Sequence, residues 1–256
     1  MKTQQMMSLQ VEALTLTMKG HSQPLVGPLS WRLEAGQCMG LVGGSGAGKS
    51  LVADALFQAL PAEIECQGRM TLNDAPLSPL SMALMPQSIE ALDPLAPVTQ
   101  QIRRFARRNA EAVDPTRLLA QVQLEAEAGA LFPHQLSGGM ARRVLLALTL
   151  ATGADWLVID EPTLGLDPTV ADQLIQLLST LKAQGKGVLL ISHDLVRLIQ
   201  VADEVMILAS GQQVETAPVA AFDGSGGGLK HPFSRALWQA QQWTQNPLTI
   251  HQGDER

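Results

Sequence analysis

Gly43-Gly44-Ser45-Gly46-Ala47-Gly48-Lys49-Ser50 is a complete G-x-x-x-x-G-K-[ST] stretch, and the fold turns on its reading. It follows a short apolar run, Met39-Gly40-Leu41-Val42, and precedes Leu51-Val52-Ala53-Asp54-Ala55-Leu56-Phe57, which reads as helix. Strand, loop and helix in that order are the context a phosphate-binding loop requires. The glycines let the backbone curl until successive N–H groups point inward, a concavity that side chains would fill. The following helix aims its positive N-terminal end at the same point. Lys49 is placed to reach β- and γ-phosphates, and the Ser50 hydroxyl to hold Mg²⁺. A glycine-rich turn with a chance lysine is the plainer alternative, but it leaves the flanking strand and helix unexplained. The stretch predicts binding of a nucleoside triphosphate.

The 256 residues suit one large or two small domains. With 46% apolar and only 16% charged residues, the composition weighs against wholesale disorder. A net charge of −6 weighs against a general nucleic-acid binder. Arg103, Arg104, Arg107 and Arg108 form a local basic patch at helical spacing. It reads first as a solvated helix face, with a docking surface for an anionic partner as the alternative. The two cysteines, Cys38 and Cys66, have no paired spacing, so neither a disulfide framework nor a metal knuckle is indicated. Leu9, Val11, Leu14 and Leu16 alternate with polar residues as a strand does, unlike a signal peptide. No apolar run approaches the roughly 20 residues of a membrane span. A cytosolic chain is expected, with any membrane association made through a partner.

Residues 9–36 read as antiparallel strands leading into the glycine loop, and 67–73 and 82–87 as further short strands. From Val98 to Ala151 the pattern turns helical, broken at Asp114-Pro115 and Phe132-Pro133. Three apolar runs, 156–159, 188–191 and 205–208, then alternate with helices, which implies a parallel sheet with crossover helices. Asp223-Gly224-Ser225-Gly226-Gly227-Gly228 is a flexible linker by composition. It leads to a tail, 229–256, with a predicted helix around Ser234–Trp243.

Trp156-Leu157-Val158-Ile159-Asp160-Glu161 is an apolar strand ending in two carboxylates. Asp160 suits the shell of a hard dication, and Glu161, facing the other way, suits polarisation of an attacking water. Leu136-Ser137-Gly138-Gly139-Met140 opens another helix, hence a second anion-seeking helix end. Taken alone, Ser137 reads better as a helix cap.

The phosphate loop, Leu-Ser-Gly-Gly-Met, Asp160-Glu161, Leu166-Asp167 and Ser192-His193-Asp194 follow one another over residues 9–222. In that order they resemble the ATPase subunits of ABC transporters. The resemblance implies an α/β phosphate-loop fold: a mainly parallel sheet core, an N-terminal antiparallel subdomain and a helical subdomain at about 88–152, the whole spanning 1–222. It implies ATP and Mg²⁺ as cofactors. Nucleotide contact falls to Gly43, Gly44, Ser45, Gly46, Ala47, Gly48, Lys49, Ser50 and Leu51. In a head-to-tail pair, Ser137, Gly138, Gly139 and Met140 would cap the γ-phosphate held by the other subunit, and Asp167 would make contact across the pair. Glu161 is implied as catalytic base, His193 as a γ-phosphate contact, and Gln87 as the glutamine that senses Mg²⁺ and attacking water. Ser50, Gln87 and Asp160 are the implied metal residues.

Four features are similar to the peptide/nickel branch of bacterial ABC importers: Phe132-Pro133-His134-Gln135, Met140, the run Gln87 to Pro94, and His231-Pro232-Phe233-Ser234-Arg235-Ala236-Leu237. Gly44, where peptide importers more often have Glu, and the short tail lean slightly toward nickel-type members. Departures also stand out. The chain has no tyrosine, and Met18 takes the place of an aromatic for stacking on adenine. Met140-Ala141-Arg142-Arg143 lacks the glutamine and arginine order usual after the glycine pair, which puts coupling between sites in question. A tail without cysteine predicts no iron–sulfur cluster, and His134, His231 and His251 lack ligand spacing. The implied partners are integral-membrane permeases, a second ATPase and, indirectly, a periplasmic binding protein, with the chain peripheral on the cytoplasmic face of the inner membrane. The rival classes fit less well. DNA-repair relatives need long coiled-coil or zinc insertions, yet Lys49 and Ser137 are only 88 positions apart with no heptads or Cys clusters. Translation-type members carry two ATPase units per chain, and a non-hydrolysing regulatory module would not need Glu161, Gln87 and His193.

Overall fold

The alternating N-terminal pattern folds as expected, into β1 (Ser8–Met18) and β2 (Pro24–Glu34), paired antiparallel. A register shift between Val11 and Leu14, where Ala13 has φ 51°, moves the buried face by one residue, so Leu14 and Leu16 stay inside. The computed structural model describes residues 7–106 and 113–245, with side chains as far as Gln241. Arg107, Arg108 and His251 therefore lie outside the described residues. Of the basic patch that remains, Arg103 is exposed and Arg104 donates to Asp93 at 2.6 Å.

The chain continues through β3 (Cys38–Gly43), α1 (Lys49–Leu56), β4 (Ile64–Leu72), β5 (Ala75–Pro76) and β6 (Met82–Met85). Next come the helices α2 (Val98–Phe105), α3 (Pro115–Gln121) and α4 (Gly138–Ala151). The last part holds β7 (Trp156–Asp160), α5 (Pro168–Ala183), β8 (Gly187–Ser192), α6 (Leu195–Leu198), β9 (Glu204–Ala209), β10 (Gln212–Pro218) and α7 (Pro232–Gln245). Two sheets result. The smaller is antiparallel in the order β2-β1-β4-β5; the larger has the order β10-β9-β3-β8-β7-β6. Every pair from β9 to β6 is parallel, and β10 adds an antiparallel edge strand that the sequence reading did not separate.

Every residue of β3, β7 and β8 is buried, as expected for parallel strands covered on both faces. On one face, Leu14, Leu16 and Leu29 of the small sheet share a cluster with Leu41, Val52, Leu56, Ile191 and Leu208. On the other, α4 and α5 pack Val144, Leu146, Leu174 and Leu178 against Leu157, Ile159, Val188 and Leu190. The predicted strand at 82–87 ends at Met85, which leaves Gln87 in the exposed segment beyond the sheet.

The tail is not a separate unit on a loose tether. Asp223 organises the glycine-rich stretch as a turn, its carboxylate accepting from Gly227 N–H at 2.9 Å and its carbonyl from Trp238 Nε1–H at 2.7 Å. Trp238 is buried edge-on against Phe222, and both belong to the main core cluster with Leu229. Composition alone therefore mislabels this segment, because long-range contacts such as those of Trp238 and Asp223 hold it to the core. No helix among the described residues is long and apolar enough to cross a membrane.

Candidate functional site

The C-terminal ends of β3, β6, β7 and β8 lie side by side at one edge of the large sheet. β3 is flanked by β9 and β8, with the chain running away in opposite directions, the arrangement that opens a crevice in doubly wound sheets. A cleft of about 600 Å³ lies there, lined by the glycine loop (Gly43 to Gly46, Lys49, Ser50), Gln87, Asp160, Glu161, Leu164 and His193. Two residues of the tail helix, Leu237 and Gln241, also line it. The loop, the carboxylate pair, the histidine and the glutamine, distant in sequence, thus converge.

The loop leaves β3 at Gly43 and enters α1 at Gly48, whose φ of 96° few other residues adopt without strain. A Cβ at Gly48 would sit 2.3 Å from Val26 Cγ2, and one at Gly43 only 2.5 Å from the Leu208 carbonyl oxygen. Close packing under the loop thus demands glycine at both ends. Gly44, in contrast, has nothing within 4 Å of where a Cβ would be, so the fold leaves that position open to a larger residue. Ala47 is buried beneath the loop, and Leu51 is half-buried in the first turn of α1. Lys49 Nζ donates to the carbonyls of Gly43 at 2.8 Å and Gly44 at 3.2 Å, folding the cation back across the loop mouth.

Glu161 is nearly buried and held at φ 46°, a strained setting for a non-glycine residue. Its Oε2 lies 2.7 Å from His193 Nδ1 and accepts from the His193 N–H at 3.3 Å. Ser192 Oγ stands 3.5 Å from the same oxygen. Asp160 is pushed up to about 6, first by burial and then by the adjacent Glu161 charge, with Asp54 adding to the rise and Lys49 and Arg142 offsetting part of it. A buried carboxyl so disfavoured as an anion is suited to a cation. With the Ser50 hydroxyl and the Gln87 amide it offers few, hard oxygen donors, the kind of partial shell that Mg²⁺ completes with water and phosphate oxygens. The donor set therefore fits that ion.

The second glycine motif lies elsewhere. Ser137 caps α4, its Oγ accepting from Met140 N–H at 3.2 Å, as its residue type alone implies. Ser137 and Gly138 are exposed, Gly139 and Met140 half-buried, and none of the four lines the cleft. Asp167 caps α5 by accepting from Val170 N–H at 3.1 Å and is likewise exposed outside the cleft. Met18 ends β1, exposed and outside the cleft lining.

Two contributors escaped the sequence reading. Arg142 is only 7% exposed, yet it carries a guanidinium. One end donates to the Gln87 carbonyl and the other to the Leu164 carbonyl at 3.4 Å. It also interacts electrostatically with Asp160 and Glu161, while burial lowers its own pKa. One side chain of α4 thus ties the segment after β6 to the segment after β7. Its departure from the usual residue order was the available signal. Gln241 had none, since nothing in the tail composition points to the cleft.

A glycine loop between β3 and α1, at the crevice of a mainly parallel sheet, defines a phosphate-loop α/β protein. The family model described as ABC transporter matches residues 26–164, and the chain belongs to that family. The glutathione import ATP-binding protein GsiA of Escherichia coli (strain K12) is 32% identical over 262 residues, 91% of this chain and 42% of that protein. Its counterpart in Shigella dysenteriae is 33% identical over the same shares. The chain spans about two-fifths of the length of these curated relatives. Among solved structures, an ATP-binding subunit of an ABC transporter superposes with a TM-score of 0.72 at 22% identity, covering 91% of this chain and 99% of that one. A dimeric cassette in a post-hydrolysis state with ADP and Pi gives 0.72 at 20% identity, covering 82% and 98%. At those identities the likeness establishes the fold, an ABC-type cassette.

Proposed function

We propose that this chain is the ATP-hydrolysing subunit of an ABC importer, peripheral on the cytoplasmic face of the inner membrane. The observation that carries the reading is the convergence of Lys49, Asp160, Glu161, His193 and Gln87 on one cleft beside the glycine loop. The triphosphate lies along residues 43–51, where backbone N–H groups and the start of α1 neutralise its charge. Lys49 turns from its own loop carbonyls to the β- and γ-phosphates. Ser50, Asp160 and Gln87 would hold Mg²⁺, which supplies charge neutralisation at the phosphates. Glu161 polarises the attacking water and His193, already paired to it, contacts the γ-phosphate. Phosphoryl transfer needs positioning and charge neutralisation more than covalent help, and this set provides both.

The Ser137–Gly139 helix end, exposed at Ser137 and Gly138, is left for a second cassette. In a head-to-tail pair it seals the γ-phosphate of the opposing site, with Asp167 in contact across the pair. Permease subunits and a substrate-binding protein complete the transporter. For domain organisation we propose 1–222 as the ATPase, with 88–152 as helical subdomain, and 223–256 as a C-terminal segment whose described part packs on its core.

Short peptides, glutathione among them, are the favoured cargo, supported by the names of the relatives and by the Phe132-Pro133-His134 and His231-Pro232-Phe233 motifs. Nickel is the second reading. Gly44 supports it only weakly, because open space around that residue accommodates Glu equally well. Phosphate release by the purified chain with Mg²⁺ and ATP tests the catalytic assignment. Uptake of labelled glutathione against labelled nickel in a deletion strain tests the cargo.

A further inference from the structure

The turn between β8 and α6 carries His193, and α6 is only four residues long, so little regular structure holds that turn. Its three successive backbone N–H groups all go to side chains. His193 N–H reaches Glu161 at 3.3 Å, Asp194 N–H reaches Ser192 Oγ at 3.0 Å, and Leu195 N–H reaches Gln241 Oε1 at 2.7 Å. Gln241 Nε2–H in turn donates to the His193 carbonyl. One carboxamide from the tail helix therefore bridges the two ends of the turn, an acceptor for one and a donor for the other. A side-chain amide presents both functions in a short fork at any pH, whereas a carboxyl does so only when protonated.

The helix that delivers Gln241 is firmly seated. Trp238, one turn earlier on the same face, is buried in the main core and donates to the Asp223 carbonyl. Glu215 accepts from Lys230 N–H at 2.7 Å and His231 N–H at 3.1 Å, fixing the entry to α7. Leu237 and Gln241, four residues apart, then face the cleft itself.

From this geometry we propose that α7 is a wall of the nucleotide cleft and that Gln241 is a positioning residue, holding the His193 turn so that the imidazole meets Glu161. The tail is thereby part of the hydrolytic site, although it lies beyond the residues that the family model matches. The proposal rests on the reading of the cleft as an ATP site, and its test has one arm that needs no nucleotide.

Gln241→Met keeps the length and the apolar seal of the side chain but removes both hydrogen bonds. Gln241→Glu keeps the acceptor for Leu195 and turns the donor at the His193 carbonyl into a repelling oxygen. In the nucleotide-free full chain, hydrogen exchange should accelerate about tenfold or more in the segment 193–198 for both variants, with the rest of α7 still protected. Unchanged exchange there overturns the proposal whether or not the protein hydrolyses ATP. In the hydrolysis arm, both variants should lose kcat about tenfold while KM for ATP stays within about twofold, the loss expected when only transition-state positioning is weakened. In a His193→Ala background, Gln241→Met should cost nothing further, because it acts through His193. Full kcat in Gln241→Met, or the same fractional loss in the His193→Ala background, overturns the role. Loss of all protection in α7 by Gln241→Met would indicate a structural residue and also overturns it. A wild-type chain without phosphate release would count against the ATPase reading, and the exchange arm would still decide the position of Gln241.

Discussion

Replacing Arg142 by methionine tests how the helical part of the molecule is wired to the carboxylates. The guanidinium is nearly buried and donates to two carbonyls, Gln87 on one side and Leu164 on the other. Hydrogen bonds to a charged group contribute about 1.5–3 kcal/mol each. Removing a buried charge returns a desolvation cost of several kcal/mol, so an apolar replacement of similar volume is often nearly neutral overall. Global stability should therefore shift by less than about 2 kcal/mol in either direction. The local consequence is larger in kind. Without its anchor the Gln87 segment is released by about 1.5–3 kcal/mol, a factor of roughly 10–150 in the population of the competent arrangement. Phosphate release should fall by that factor, with KM for ATP little changed because the glycine loop is intact. Arg142 also holds down the pKa of Asp160, so its loss should move the acidic limb of the rate profile to higher pH. Arg142→Lys keeps the charge but not the two-pronged reach, and should restore the pH limb while recovering only part of kcat. A folded Arg142→Met protein with wild-type turnover and pH profile would show that Arg142 does not couple these segments.

Other substitutions probe single links. Lys49→Ala deletes the cation proposed to face the terminal phosphates, and ATP affinity by calorimetry should fall at least about tenfold; normal affinity would remove Lys49 from the site. Gly48→Ala forces a Cβ at φ 96° to within 2.3 Å of Val26 Cγ2, so it should lower stability by about 1–3 kcal/mol in denaturant titration; an unchanged midpoint would mean that the loop does not need this backbone. Asp160→Asn should raise the Tm of the nucleotide-free protein at pH 8 but not near pH 4. The wild-type carboxyl, pushed up to about 6, stays protonated in the fold while its unfolded counterpart ionises, so stability is lost as pH rises from about 4 to about 6 and stays lost above. Equal offsets at both pH values would contradict that sign.

Much of the site was legible because its residues sit at strand ends. Asp160 ends an apolar run and the glycine loop with Lys49 follows another, both read as buried parallel strands, and parallel strands in a doubly wound sheet bring their C-terminal ends together; His193 was named through the resemblance to ABC-transporter ATPases and lies just past a third such strand. Gln87 was likewise named through that resemblance, and β6 stops two residues short of it. The cap made by Ser137 followed from residue type alone. What could not be read was long-range packing that obeys no local pattern. Arg142 looks like a surface residue of a helix, and its burial depends on two carbonyls 55 and 22 positions away in the chain. The tail reads as a tether because its glycines dominate the composition, yet the seating of Trp238 and the reach of Gln241 are decided by the partners Asp223 and His193. Neither partner can be inferred from the tail itself.

In the proposed pair, the glycine loop of one cassette and the Ser137–Gly139 helix end of another enclose the same triphosphate. A crystal structure of the Glu161→Gln protein with Mg²⁺ and ATP tests it most directly. A head-to-tail pair is expected, with phosphate oxygens on the loop amides of one protomer and the γ-phosphate against residues 137–139 of its partner. A closed pair with that helix end turned away, or a triphosphate bound outside the loop, would contradict it.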